Sequence, residues 1–409
     1  MKEEEKQQEK KLHVDVSDET QIFCEELILE ILIRAHAKTL FRSKCVCKNW
    51  QSLISDQSFI NRYIKRSKSL PPSLTGFFYR TGNIVDPNDD GHVKFLSTGS
   101  LNDTNDLNVL NKGLSFLSEI NGSVYVVDSN NGLLLCAKKP KLSGLDYVSS
   151  TPICYFVCNP VTKQWVALPE PKHCDYGASA LLHCYNLDEL CAQKTEFMVY
   201  CFCKENPNFL QVEIFSSKAG KWYKCNTCYY NWLSKEFNCM TLLNGSVYWL
   251  QEDGNMVVYD VKKESICFVK LPHSDIFGRW ILHLGVSGGS VYVTERNQTC
   301  FFVWVLVDGL EFCLSQTIEV ENLINDPKRI STNQPQVRLR FKILGFHQAA
   351  YQLVFVGINP YKAALYCVNK RRLEHISDLH PSTFCNFYLR LFPYSLPAWP
   401  TCIPFLKNS

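Results

Sequence analysis

Tyr155-Phe156-Val157-Cys158-Asn159-Pro160, followed three residues later by Gln164-Trp165-Val166, reads as a strand, a polar turn and a second strand. Aromatic and β-branched residues supply the strand propensity, and Asn-Pro stops the run. The same arrangement returns as Val212-Glu213-Ile214-Phe215-Ser216 before Lys221-Trp222-Tyr223, and as Val257-Val258-Tyr259-Asp260 before Ile266-Cys267-Phe268. Leu306-Val307-Asp308 and Cys367-Val368-Asn369 continue the series, with intervals of about 44 to 61 residues. Gly122-Ser123-Val124-Tyr125, Gly245-Ser246-Val247-Tyr248 and Gly289-Ser290-Val291-Tyr292 open a second kind of strand. A period near ~50 residues built from short strands is that of a kelch-like β-propeller blade. Such sheets cannot bury both faces alone, but stacked radially each covers its neighbour and leaves only short edges. Dividing roughly 330 residues by that period predicts six or seven blades. A sandwich or a pair of smaller barrels also accommodates strands at this spacing.

Upstream of residue 67 the period changes. Leu27, Ile28, Ile31 and Leu32 share one helical face, Trp50, Leu53 and Ile54 another, and Ile60, Tyr63 and Ile64 a third. Thr39 and Asp56 are candidate N-caps. Residues 20–66 are therefore expected to form a small all-α bundle of three or four helices. Ser67-Lys68-Ser69-Leu70-Pro71-Pro72-Ser73 follows, and its paired prolines forbid helix continuation. The expected organisation is a charged tail over 1–19, the bundle, a linker over 67–75 and an all-β propeller over 76–405.

The totals exclude several function classes. Of 409 residues, 46% are hydrophobic and 20% charged, a composition that fills a core, and a net charge of +3 with no basic run predicts neither a nucleic-acid nor a membrane surface. The longest apolar run, Phe301 to Val307, is far shorter than a bilayer-spanning helix. Met1 to Lys11 alternates Glu, Gln and Lys and reads as no secretory leader. The 20 scattered cysteines are accordingly expected as reduced thiols in the cytoplasm or nucleus. Cys225 and Cys228 form a lone C-x-x-C, where zinc would want a second pair or histidines at ligand spacing. No Walker loop, G-x-S-x-G or H-E-x-x-H occurs, and Gly285-Val286-Ser287-Gly288-Gly289 precedes a strand, so it is expected to be a hairpin turn. The sequence thus predicts no catalytic residues, cofactor or metal.

The N-terminal bundle resembles the F-box family. Phe23-Cys24, then Leu27-Ile28-Leu29-Glu30-Ile31-Leu32-Ile33-Arg34, Lys38-Thr39-Leu40, and Val46-Cys47-Lys48-Asn49-Trp50 with Leu53-Ile54 follow that family's pattern in order. Cys24 and His36 stand where the family has prolines. The order of parts is similar too, since plant F-box proteins often carry a kelch-like or F-box-associated domain downstream. The resemblance implies a non-catalytic substrate receptor of an SCF-type ubiquitin ligase. The bundle would dock an SKP-type adaptor, and through it a cullin scaffold, while the propeller holds an unknown protein target. Candidate adaptor-binding residues are Phe23, Cys24, Leu27, Ile28, Glu30, Ile31, Leu32 and Leu40, and the module's expected core is Val46, Cys47, Trp50, Leu53 and Ile54. A short bundle cannot bury every apolar face, so leftover side chains present a surface to a partner. The polar connections at 86–91, 102–111 and 325–336 are candidate target-facing loops.

Overall fold

The computed structural model describes residues 26–35, 37–69, 74–81, 92–97, 110, 112–117, 120, 124–138, 154–173, 179–185, 196–206, 209–225, 228–229, 238–251, 254–272, 280–309, 311–324, 341–346, 353–358, 362–367, 370–378, 391–396 and 403. Among these, the N-terminal helices fall in one compact unit and the strands in a second, divided between Pro71 and Pro72.

The first unit contains α1 (residues 26–34), α2 (Ala37–Ser43), α3 (Lys48–Ser55) and α4 (Gln57–Ser69). Helix α4 runs into the expected linker because a proline pair restrains the residue just before it and little further upstream. The next strand opens at Leu74, so the segment between the two units is narrower than 67–75.

The second unit is all β. It begins with β1 (Leu74–Arg80) and β2 (Val93–Ser97). Four strands then form the first complete blade: β3 (Val124–Asn130), β4 (Leu133–Lys138), β5 (Tyr155–Asn159) and β6 (Gln164–Ala167). The second has β7 (Ser179–Tyr185), β8 (Glu196–Asn206), β9 (Phe209–Ser216) and β10 (Lys221–Lys224), with the short β11 (Cys228–Tyr229) also on β9. The third has β12 (Asn238–Leu243), β13 (Ser246–Leu250), β14 (Asn255–Asp260) and β15 (Ser265–Lys270). The fourth has β16 (Trp280–Ser287), β17 (Ser290–Arg296), β18 (Cys300–Val307) and β19 (Glu311–Glu319), followed by the one-turn helix α5 (Val320–Ile324). The fifth has β20 (Phe341–Phe346), β21 (Leu353–Ile358), β22 (Lys362–Cys367) and β23 (Arg372–Asp378). The last strand, β24 (Phe392–Ser395), pairs with β1, giving a three-stranded sheet in the order β2-β1-β24. All pairings among the described residues are antiparallel.

Among the described residues there are five complete blades and the three-stranded sheet, where six or seven blades were expected. The division by length assumed uniform repeats, whereas the first strands β3, β7, β12, β16 and β20 start about 42 to 61 residues apart. The two ends of the domain, moreover, go to the smaller three-stranded sheet. Apolar clusters fill the space between successive sheets, from Leu135, Val157, Val199 and Phe215 between the first two blades to Phe77, Leu344 and Ala363 between the fifth blade and the three-stranded sheet. Phe78, Phe95 and Tyr394 then pack against Val126 and Leu134 of the first blade and close the ring. That radial stacking excludes a two-sheet sandwich.

The recurring polar turns have a local cause. Asn159 Oδ1 accepts hydrogen bonds from the Val161 and Thr162 N–H groups at 3.0 and 3.2 Å, and Asp260 Oδ1 accepts from Lys262 and Lys263, both at 3.0 Å. Each turn ends with a residue at positive φ, Lys163 at 57° and Glu264 at 49°, with Gly220 at 67° in the corresponding place after Ser216. A short polar side chain that caps its own turn thus marks the third-to-fourth-strand hairpin of a blade. The Gly-Ser-Val-Tyr signal is less uniform. It opens second strands at β13 and β17, but Val124-Tyr125 opens the first strand β3, because a strand-forming pair after a small residue does not record the strand's place in its blade. Gly288 and Gly289, at φ 53° and 77°, form the expected turn between β16 and β17.

Strand β3 ties the ring on both sides. Asp128 Oδ2 accepts from Leu182 N at 2.7 Å and Asn130 Oδ1 from Cys184 N at 3.3 Å, both on β7. Ser129, between them, donates its hydroxyl to the Pro393 carbonyl of β24 at 2.5 Å. Alternation along a strand sends residues 128 and 130 one way and 129 the other, so one polar triplet reaches both neighbours.

Candidate functional site

The helical unit has a filled centre and an unfilled flank. Leu32, Ile33, Leu40, Ile54, Phe59, Ile60 and Tyr63 are buried together, with Ile28, Leu29, Phe41, Trp50 and Ile64 packed around them. Tyr63 donates its hydroxyl to the Ala35 carbonyl at 3.0 Å, tying α4 to the end of α1. Asp56 caps α4: its carboxylate accepts from the Ser58 hydroxyl, from Ser58 N–H at 2.8 Å and from Phe59 N–H at 3.4 Å, which holds its pKa below the ordinary carboxylate value.

On the outside, Leu27 is 51% exposed and Ile31 65%, one turn apart on α1 and so on one face. Val46 is 64% exposed in the turn before α3. Glu30, between the two α1 residues, receives Arg34 at 3.0 Å and Arg62 at 3.2 Å. These are exposed ion pairs, whose contribution to stability is small. The outside of the module thus carries separate large exposed apolar side chains beside a paired carboxylate, groups whose chemistry is that of non-covalent contact.

Several sequence-based assignments change place. Leu32 and Leu40, expected at the adaptor surface, are 2% and 0% exposed and belong to the core, where they pack in one cluster with Ile54 of α3 and Phe59, Ile60 and Tyr63 of α4. Val46 and Cys47, expected in the core, are exposed. Cys47 is the N-cap of α3, its Sγ accepting from Trp50 N at 3.5 Å. Val46 thereby occupies the position that would staple to an apolar side chain in the helix's first turn, but Gln51 stands there and offers none. That spacing was the signal that could have identified Val46 as exposed. Ile54 is buried, Trp50 and Leu53 are half-buried, and Ile28 is half-buried at the core's margin. Phe23, Cys24 and His36 lie outside the described residues, as do the candidate loops at 86–91, 102–111 and 325–336 apart from Leu110, a core residue of the second unit.

Two family models match the chain. One, described as F-box domain, matches residues 21–62, and the other, described as F-box protein At3g26010-like, beta-propeller, matches residues 108–333. Similar relatives from Arabidopsis thaliana include F-box protein At5g03970, 24% identical over 94% of this chain and 90% of that one. F-box protein At5g07610 is 25% identical over 67% of this chain and 64% of its own. Among solved structures, the computationally designed Ika8 protein aligns at a TM-score of 0.34 and 12% identity, over 74% of this chain and 72% of that chain.

Proposed function

The chain belongs to the F-box proteins that carry an At3g26010-like β-propeller, and from that premise we propose that it is the non-catalytic substrate receptor of an SCF-type ubiquitin ligase. The helical unit docks an SKP-type adaptor and through it a cullin scaffold, the propeller holds a protein target, and ubiquitin transfer is accelerated by proximity. Such a receptor works in the cytoplasm or nucleus. The observation that carries the reading is the pair Leu27 and Ile31, left in solvent on α1 while the bundle's own core is filled.

Burying a large aliphatic side chain contributes about 1.5–3 kcal/mol, and these two are half to two-thirds available for burial by a partner. Leu27→Asp with Ile31→Asp is therefore expected to weaken capture of a co-expressed SKP-type adaptor by about 100-fold. Capture at the parental level by the double variant would sink the proposal. Cys24 and His36 in place of the family's prolines favour one second reading, a ubiquitin-independent propeller scaffold with a lapsed docking module. It predicts no adaptor capture by the parent and recovery when Cys24→Pro and His36→Pro are combined, since proline removes backbone freedom from the unbound state.

A further inference from the structure

Among the described residues the outer strands of the blades pair on one side only, and natural sheets protect such edges by keeping them short or by placing lysine on them. Strands β6 and β10 have 4 residues each, and β10 begins with Lys221 and ends with Lys224. Strand β2 carries Lys94, β15 ends in Lys270, and β23 begins with Arg372 just after Lys370 and Arg371. Strand β19 breaks this pattern. It has 9 residues, pairs with β18 on one side, and on the other pairs with no strand among the described residues. From Asp308 to Ile324 the chain carries four acidic residues, Asp308, Glu311, Glu319 and Glu321, and no basic one. Leu314, in the middle of the edge, is 50% exposed.

We propose that β19 is a docking edge where an extended segment of the target protein, with lysine or arginine flanking an apolar residue, adds as a further strand. Main-chain groups provide the hydrogen bonds of strand addition, and side-chain positions provide the selectivity. Glu311 and Glu319, at the two ends, select for cationic side chains, and Leu314 between them for an apolar one. The same charges disfavour a second copy of the chain. Two β19 edges related by a two-fold axis would set Glu311 of each against Glu319 of the other. The edge is also bent at Ser315, the extra residue between Leu314, which faces Trp304, and Gln316, which faces Val303. A bend suits a single short segment better than a flat sheet-to-sheet stack. The proposal rests on the receptor reading only in naming the occupant as a target.

The test is fluorescence anisotropy on the full chain with three labelled peptides of about twelve residues. One alternates Lys with Val, Ile and Leu, the second has Glu for Lys, and the third is the cationic peptide with two central prolines, which cannot donate to a ladder. Only the first is expected to bind, more weakly as salt rises. Glu311→Lys with Glu319→Lys should weaken it about tenfold or more. Asn322 donates to Glu319 at 3.1 Å, so Glu311→Lys and Leu314→Lys are also made singly, each with a smaller loss expected. Lys224→Glu and Lys270→Glu, on other edges, should leave binding unchanged. The proposal is overturned if the cationic peptide does not bind, if the proline peptide binds equally, if charge reversal at Glu311 and Glu319 has no effect, or if that reversal instead dissociates a dimer in sedimentation. Adaptor capture on the same variants separates the two claims. Capture without peptide binding overturns the docking edge alone, and peptide binding without capture overturns the receptor reading alone.

Discussion

Replacing Tyr394 by alanine probes whether the C-terminal strand holds the ring closed. Tyr394 is 1% exposed on β24, and its ring meets Phe78 edge-on at 5.2 Å and Phe95 edge-on at 6.3 Å. Beside it, β24 pairs with β1, so the last described strand and the first strand of the unit are held by the same aromatic cluster. Truncating a buried aromatic costs about 3–5 kcal/mol, since the neighbours relax only partly into the space. A unit of about 320 residues unfolds with an entropy near 0.7 kcal/mol/K at roughly 2.1 cal/mol/K per residue. A loss of about 4 kcal/mol then lowers the midpoint of the β-unit's transition by about 6 °C. Differential scanning calorimetry of the full chain measures it, with Tyr394→Phe as the control that keeps the ring contacts and should stay within about 2 °C of the parent. A drop below about 2 °C for Tyr394→Ala, or an equal drop for both variants, would refute ring closure through this cluster.

Two further expectations concern titratable groups. Cys136 and Cys158 are both fully buried with their sulfurs 3.8 Å apart, and their hydrogen bond, followed by burial, holds the Cys136 thiol well above its ordinary pKa. Iodoacetamide near pH 8 should therefore modify the exposed Cys45, Cys47, Cys267 and Cys313 in the native protein, and Cys136 and Cys158 only after denaturation. Mass spectrometry reads this, and native labelling of Cys136 at the rate of Cys313 would contradict it. Burial also lowers the pKa of His183, whose ring stacks with Tyr200 at 6.3 Å. The unfolded chain then takes up a proton below about pH 6.5 that the folded chain takes up only at lower pH, so this contribution is complete above 6.5 and is lost as pH falls through the folded value. The fall in midpoint from about pH 7.5 to 5.5 should be smaller in His183→Gln than in the parent, and equal falls would show that His183 is not the group responsible.

Strand-turn-strand order, the two-part organisation and the helical character of the module upstream of residue 67 were legible in the chain because each is set by local chemistry. Asn159 and Asp260 cap their own turns within three residues, and Asp56 caps α4 within the same span. The F-box pattern was likewise readable as an ordered series of residues. Which apolar side chains that module keeps inside was not. Leu27 and Leu32 are five positions apart on one helix with the same chemistry, yet one is in solvent and the other buried. The number of complete blades also escaped the sequence, because ring closure is decided by how sheets pack across hundreds of residues. Ser129 illustrates the difference: its place in a strand follows from its neighbours, but its bond to Pro393 exists only because the last strand returns beside the first blade. Local hydrogen bonding and hydrophobic period act over a few residues, so the sequence by itself determined the elements and their order. Burial and closure depend on what the rest of the chain places opposite each side chain, so only the tertiary structure decided the surface of α1, the sheet count among the described residues and the place of β19 at the outer edge of its blade.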